Sequence, residues 1–146
     1  MRRLALIAAI VTGPAFAGPL PVDILDRSAT APVIIVGEIH DNPAHHATQA
    51  ALVAHVQPRA IVFEMLTEAQ AATVTADNRA DQQALAEALD WAASGWPDFA
   101  MYHPIFTAAP EAAIFGAAVP RETARAAMQA GIAQSFGDDA AAYGLT

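Results

Sequence analysis

Residues 33–46 read VIIVGEIHDNPAHH, an apolar run that ends in a glutamate and leads into three histidines. Residues 32–37 are rich in β-branched side chains without polar alternation, so they predict a strand buried on both faces, as in parallel sheets. Asn42 and Pro43 supply an N-cap and a first-turn proline, and they predict a helix that reaches about Val56. The stretch therefore predicts the first strand and first long helix of an α/β fold.

The rest of the chain continues the alternation of strands and helices. Further elements are expected as a short helix at residues 22–27, a strand at 60–66, a capping box at 67–70, a helix at 81–89, a strand at 113–119 and a helix at 120–130. Residues 91–106, which hold both tryptophans, are expected to form a loop between them. This order predicts the α/β class, with a partly parallel sheet and helical crossovers.

Residues 1–17, MRRLALIAAIVTGPAFA, have the form of a secretory signal. Two arginines precede an apolar stretch, and the segment ends in an A-x-A cleavage pattern. The apolar run is shorter than the ~20 residues that a spanning helix needs. We therefore expect export, with a mature single domain at residues 18–146.

Composition limits the classes of function that the chain can serve. Of its 146 residues, 55% are hydrophobic and 15% charged, which is typical of one compact domain. Removal of Arg2 and Arg3 with the signal would change the formal net charge from −8 to −10, and the chain has no lysine, so we expect no nucleic-acid partner. The absence of cysteine excludes thiolate chemistry, disulfides and a lipidated cysteine. We expect a soluble periplasmic protein.

Polar side chains gather where the predicted strands end. Glu38 and His40 follow the first strand, and Glu64 lies late in the second. Because ligands bind beyond the carboxyl ends of parallel strands, we expect these side chains to share a site. His46 lies in the first turn of the next helix, where the helix dipole disfavours an imidazolium, so we expect a neutral ring that can accept a hydrogen bond or ligate a metal. A purely structural, hydrogen-bonded plug between loops is the alternative.

A second constellation is aromatic. Residues 91–106 contain five of the ten aromatic residues of the chain, together with Met101. Aromatic and thioether walls suit a flat apolar cofactor such as haem, and Tyr102 or His103 could reach its iron. A satellite core beneath a long loop accounts for the same composition, so both interpretations stay open.

Four segments of the chain together resemble the ChaN-like haem-binding uptake family, which is related to the Tiki/TraB and erythromycin-esterase-like proteins. They read VIIVGEIHDNPAHHATQAALV, AIVFEML, WAASGWPDFAMYHPIF and AIFGAAVPR, and they span about residues 33–130. The resemblance implies an exported protein of iron or haem uptake that binds haem, in some members between two subunits. The implied partners are a second copy of the chain and an outer-membrane haem or iron transport system.

The resemblance also implies a set of haem-site residues. These are Glu38, His40, His45, His46, Glu64, Tyr102 and His103. Tyr102 is the expected axial ligand of the haem iron, with His46 and His103 as the competing choices. The cations available to pair with haem propionates are Arg59, Arg79 and Arg121, and nothing in the sequence selects among them.

Relatives in this family differ from the chain in two respects. Many are lipoproteins, and they continue for about as long again with a late Gly-x-x-His segment. We therefore expect an incomplete domain that corresponds to the N-terminal portion of such proteins.

The rival interpretation is a metal-dependent hydrolase-like enzyme of the Tiki or erythromycin-esterase type. Glu38, His40 and Glu64 would then bind a divalent metal or act as general acid and base on a water molecule. They would supply only half of such a site. We therefore expect a haem-binding protein rather than an enzyme.

Overall fold

The computed structural model describes residues 20–131 together with Gln134 and Ser135. The predicted signal segment lies outside the described residues. The elements, in chain order, are α1 (Val22–Thr30), α2 (Pro43–Val56), β1 (Ala60–Phe63), α3 (Glu68–Ala71), α4 (Ala76–Arg79), α5 (Gln82–Ala88), α6 (Trp91–Ser94), α7 (Phe99–Thr107), β2 (Ala113–Gly116) and α8 (Arg121–Ala130). Over these stretches, no helix has both the length and the apolar character needed to cross a bilayer.

The sheet consists of β1 and β2, which pair in parallel. Ala60 lies opposite Ala113, and the register continues to Phe63 opposite Gly116. A parallel pair needs a long crossover connection, and helices α3 to α7 supply it. The predicted α/β class, the strands within 60–66 and 113–119, and the helix from Pro43 to Val56 are confirmed.

The strand predicted at residues 32–37 is wrong. This segment does not join the sheet, and its backbone forms no hydrogen bond to any other described residue. Its side chains are largely exposed, and Ile35 is 93% exposed. A strand needs a neighbour for its N–H and C=O groups, and an apolar run encodes a preference for burial without naming that neighbour.

The loop predicted at residues 91–106 is also wrong, because the segment forms α6 and most of α7. Asp98 caps α7 by accepting a hydrogen bond from the N–H of Ala100 at 2.9 Å. Pro104 lies inside the helix and removes only one backbone donor. The buried side chains recur at helical spacing, at Phe99, Tyr102, Ile105 and Phe106, so the helix is stabilised by its apolar face.

The main hydrophobic core lies where α7 meets α2 and the sheet. Phe106 stacks on Phe63 of β1 with 4.1 Å between ring centroids. The ring centroids of Trp91 and Tyr102 lie 4.9 Å apart in the same core. The aromatic residues of this segment therefore belong to the central core and not to a satellite beneath a loop.

Gly116 allows β2 to approach the turn before α3. A Cβ atom at this position would clash with the carbonyl oxygens of Leu66 and Thr67. The chain is held there by a hydrogen bond from the Ala118 N–H to the Leu66 carbonyl at 2.8 Å. Glycine at this position therefore sets the distance between β2 and the residues that lead into α3.

Candidate functional site

The site begins in the segment that joins residues 33–37 to α2. Asn42 caps α2 by accepting a hydrogen bond from the Ala44 N–H at 3.0 Å, and its own N–H donates to the Ile39 carbonyl at 2.9 Å. The Ile39 N–H donates to His45 Nδ1 at 2.8 Å. These bonds fix residues 38–42 against the start of α2, so His45 serves the loop geometry in this arrangement.

Glu38 is the centre of the site. Its side chain is only 7% exposed. Carboxylate atom Oε1 lies 2.9 Å from His40 Nδ1 and accepts a hydrogen bond from the Tyr102 hydroxyl at 3.2 Å. Oε2 lies 3.3 Å from His46 Nδ1. Three side chains from three parts of the chain therefore converge on one carboxylate.

The environment of Glu38 favours its ionised form. Burial, the largest influence, raises the pKa of Glu38, but the hydrogen bond with His40, the nearby Gln49 side chain, the charge of His46 and the Tyr102 hydroxyl lower it. The lowering influences prevail, so the pKa of Glu38 lies below its ordinary value. At neutral pH the group is a carboxylate that only accepts hydrogen bonds.

Tyr102 is a buried member of the cluster around Glu38. It projects from α7 and is completely buried. Its hydroxyl lies 3.2 Å from both Glu38 Oε1 and the His40 carbonyl oxygen. Burial and the adjacent Glu38 charge raise the pKa of the Tyr102 hydroxyl well above its ordinary value. The side chain therefore holds its proton and uses it to anchor the loop.

His40 is the member of the cluster that reaches solvent. Its side chain is 43% exposed, and its ring meets Trp96 edge to face at a centroid distance of 4.7 Å. Because a carboxylate can only accept, His40 Nδ1 carries the proton that it donates to Glu38. In the neutral ring, Nε2 then holds the lone pair, and it forms no hydrogen bond among the described residues.

His46 contacts both Glu38 and the backbone of His40, and it is fully buried. Its Nε2 donates a hydrogen bond to the His40 carbonyl at 2.9 Å, while its Nδ1 faces Glu38 Oε2 without a hydrogen bond. Its ring centroid is 4.2 Å from that of Tyr102. The neutral, accepting ring expected from the helix dipole has no donor to accept from here, because both nitrogens face acceptors.

Two residues expected at the site lie apart from this cluster. Glu64 is exposed, although its charge contributes to the raised pKa of Tyr102. His103 donates from Nε2 to the Arg79 carbonyl at 3.1 Å and packs near Phe99. The structure thus brings together Glu38, His40, His46 and Tyr102, and it leaves Glu64 and His103 outside.

Arg79 is unavailable for pairing with haem propionates. The side chain is buried, and its guanidinium donates to the carbonyl oxygens of Phe106, Ala109, Pro110 and Ala112 at 2.6–2.9 Å. Among the arginines proposed from the sequence, Arg59 and Arg121 are exposed.

The three residues of the rival metal site do not form a metal-binding group among the described residues. Within residues 20–131, Gln134 and Ser135, no three histidine or carboxylate side chains converge in a way that could hold a metal ion. Glu64, the third member of the expected set, is an exposed residue in a turn.

Two contacts of this cluster were not predicted from the sequence. The packing of Trp96 on His40 joins two segments more than fifty residues apart, and no local pattern announces it. The contact of the Tyr102 hydroxyl with Glu38 could have been found only by placing Tyr102 on a helix. The spacing of Phe99, Tyr102 and Phe106 carried that signal.

Comparison with known proteins identifies a family. A family model described as "Haem-binding uptake, Tiki superfamily, ChaN" matches residues 24–146, which is most of the chain. No match was found among curated proteins or among solved structures.

Proposed function

The chain belongs to the ChaN haem-binding uptake family of the Tiki superfamily, and from that premise we propose that it binds haem at the site around Glu38 and His40. The family match supports the cofactor class. The convergence of four polar side chains at one end of α2 supports the location. The signal-like residues 1–17 support export to the periplasm, and the exposed apolar residues 33–36 are consistent with assembly of two copies.

One observation carries the proposal most directly. His40 Nδ1 lies 2.9 Å from the Glu38 carboxylate while the ring remains 43% exposed. Metal-ligating histidines usually donate their second ring N–H to such a carboxylate, which fixes the tautomer and raises the basicity of the other nitrogen. His40 therefore has the donor chemistry of a haem-iron ligand. Bound haem would supply the iron that takes up this lone pair.

The surroundings of His40 suit a porphyrin face. Trp96 packs against the ring, and the neighbouring Ile39 is exposed. An apolar macrocycle would cover this surface and remove it from water. Arg59 and Arg121 are the exposed cations named above for the propionates, since Arg79 is consumed inside the protein.

Tyr102 remains the axial ligand that the family resemblance predicts, and it competes with His40. To ligate iron, its hydroxyl would have to leave Glu38 and lose a proton, and its raised pKa opposes that loss. In this structure, the Tyr102 hydroxyl donates to the Glu38 carboxylate and so supports it. The two assignments predict different behaviour of variants.

The test is a visible-absorption titration of haemin into the purified chain and into three variants. We expect a saturable Soret shift in the parent chain and in Tyr102→Phe, and a lost or altered spectrum in His40→Ala. His55→Ala is the matched control, because His55 is exposed in the last turn of α2. An unchanged spectrum in His40→Ala with a lost one in Tyr102→Phe would transfer the ligand to Tyr102. Absence of a shift in the parent chain would overturn haem binding.

A further inference from the structure

His40 is the proposed iron ligand, and His46, a competing choice, is among the most deeply buried side chains of the described residues. Its ring lies between the backbone of His40 and the carboxylate of Glu38. Nε2 is 2.9 Å from the His40 carbonyl oxygen, and Nδ1 is 3.3 Å from Glu38 Oε2. A buried polar ring in this position requires a reason, because uncompensated burial of such a group is costly.

The chemistry of the two contacts determines what the ring does. A carbonyl oxygen only accepts, so Nε2 must carry a proton. Glu38 Oε2 also only accepts, so a bare lone pair on Nδ1 would repel it, whereas a proton on Nδ1 would bridge the gap. Among the described residues Nδ1 has no hydrogen-bond partner, and Glu38 is the acceptor within reach.

Tyr102 makes a matching pair of contacts from the other side. Its hydroxyl lies 3.2 Å from Glu38 Oε1 and 3.2 Å from the same His40 carbonyl oxygen. His46 comes from α2 and Tyr102 from α7, and these two helices make the most extensive contacts in the described fold. The residue 38–40 turn is therefore held at the same two points by donors from two packed helices.

We propose that His46 is a positioning residue that, together with Tyr102, clamps Glu38 against His40 and so fixes the tautomer and direction of the His40 ring. This role rests on the proposed function only for its purpose, since the clamp itself is a property of the chain without haem. Each clamp residue contacts both the carboxylate and the carbonyl. Loss of one leaves the other in place, whereas loss of both frees the turn.

The clamp explains why Glu38 can stay ionised while its side chain is 7% exposed. The carboxylate accepts hydrogen bonds from His40 and Tyr102 at Oε1 and faces His46 at Oε2. A carboxylate held at both oxygens has little freedom to rotate away from His40. The free nitrogen of His40 is then presented in a single orientation, which is what a ligand in a preorganised site requires.

The first test uses the chain without haem, so its outcome does not depend on the proposed function. Long-range ¹H–¹⁵N correlation spectra report which nitrogen of each histidine ring carries a proton. We expect one His40 tautomer, protonated at Nδ1, in the parent chain and in the control His55→Leu. In His46→Leu we expect a mixture of His40 tautomers. In the double variant His46→Leu with Tyr102→Phe, we expect a smaller fraction of the tautomer protonated at Nδ1. His46→Gln keeps a donor for the His40 carbonyl and should be intermediate.

The second readout is haem affinity. Outer-shell partners of metal-binding histidines contribute about 10–100-fold to affinity, and we expect a weakening of that order in His46→Leu. A single His40 tautomer in a folded double variant would overturn the clamp. If His46→Leu does not fold, a His46→Gln variant with an unchanged His40 tautomer and unchanged haem affinity would overturn it as well. Failure of the parent chain to bind haem, with the tautomer effect intact, would overturn the proposed function and leave the clamp standing.

Discussion

Glu38 shows how one residue can be buried and still remain charged. Removal from water favours the neutral carboxyl group, and this is the largest single influence on its pKa. His40, Gln49, Tyr102 and the charge of His46 together outweigh it. The charge is therefore kept by neighbours that come from α2, from α7 and from the segment that precedes α2.

The lowered pKa of Glu38 makes stability depend on pH. Because the folded pKa is lower than the unfolded one, the stabilisation is present above the ordinary pKa of about 4.3 and is lost as pH falls through the folded value. We expect Glu38→Gln to lower the free energy of unfolding by about 1–3 kcal/mol at neutral pH and by less in acid. Urea unfolding across this pH range measures the difference.

Glu64→Gln is the control for that experiment, because Glu64 is exposed and lies outside the cluster. Its unfolding free energy should follow that of the parent chain at every pH. A Glu38→Gln variant that loses the same stability in acid as at neutral pH would contradict the assignment of a stabilised carboxylate.

The sequence predicted Glu38, His40, His46 and Tyr102 as site residues, because each lies at a predicted strand end, at a helix start or in the aromatic segment, and the structure brings these four side chains together. It did not assign what each one does. The Tyr102 hydroxyl and the His46 ring act on Glu38 across 64 and 8 positions of the chain. Such partnerships depend on the packing of α7 on α2, which no local pattern encodes.

Among the elements, α7 contributes buried core residues and the Tyr102 hydroxyl that contacts Glu38. Side chains hold both of its ends. Asp98 caps its first turn. Arg79, from α4, donates to carbonyl oxygens at the end of α7 and in the turn that leads to β2. A helix leaves its last carbonyl groups unpaired, and the guanidinium satisfies that of Phe106 together with three carbonyl groups of the turn that follows.

We expect Arg79→Lys to be strongly destabilising although it keeps the charge. An ammonium group is a compact donor on a flexible stem and cannot reproduce the planar fork that reaches four carbonyl oxygens. Several charge-assisted hydrogen bonds would be lost in a buried place, so the free energy of unfolding should fall by about 3 kcal/mol or more. Thermal and urea unfolding measure this change.

Arg121→Lys is the matched control, because Arg121 is exposed at the start of α8. It should leave the melting temperature nearly unchanged. Equal stability of the Arg79→Lys variant would show that the carbonyl groups find water or other donors, contrary to the structural role assigned to Arg79.

The elements were predictable where a local signal agreed with the tertiary environment. The cap and first-turn proline of α2 and the apolar runs of β1 and β2 are such cases. Helix α7 was not predicted, because Pro97 and Pro104 are residues typical of loops. The burial of its apolar face stabilises it as a helix all the same. The role of Arg79 depends on contacts about thirty positions away.

For the molecule as a whole, the distribution of apolar surface is uneven. Val62 and Phe115 are partners in the register of the sheet and are both exposed on one face. Residues 33–36 add a second exposed apolar surface with an unpaired backbone among the described residues. The sequence signalled that these residues prefer burial but could not name what covers them, because strand neighbours are set by topology.

An exposed apolar segment whose backbone groups are unpaired among the described residues is a template for strand pairing, so we expect the chain to associate as its concentration rises. The net charge of −8 opposes this association, and salt screens the repulsion, so association should strengthen with ionic strength. Ile35→Lys places a charge at a position that is 93% exposed and should weaken the association.

Met128→Lys is the control. It makes the same change of charge at an 84% exposed position on α8, where the helix already pairs most of the backbone groups, and it should have little effect on association. Sedimentation velocity at low and high salt measures both variants against the parent. Equal weakening by the two variants would attribute the association to general charge and hydrophobicity, and a parent chain that stays monomeric at high salt would show that residues 33–36 are not a pairing surface.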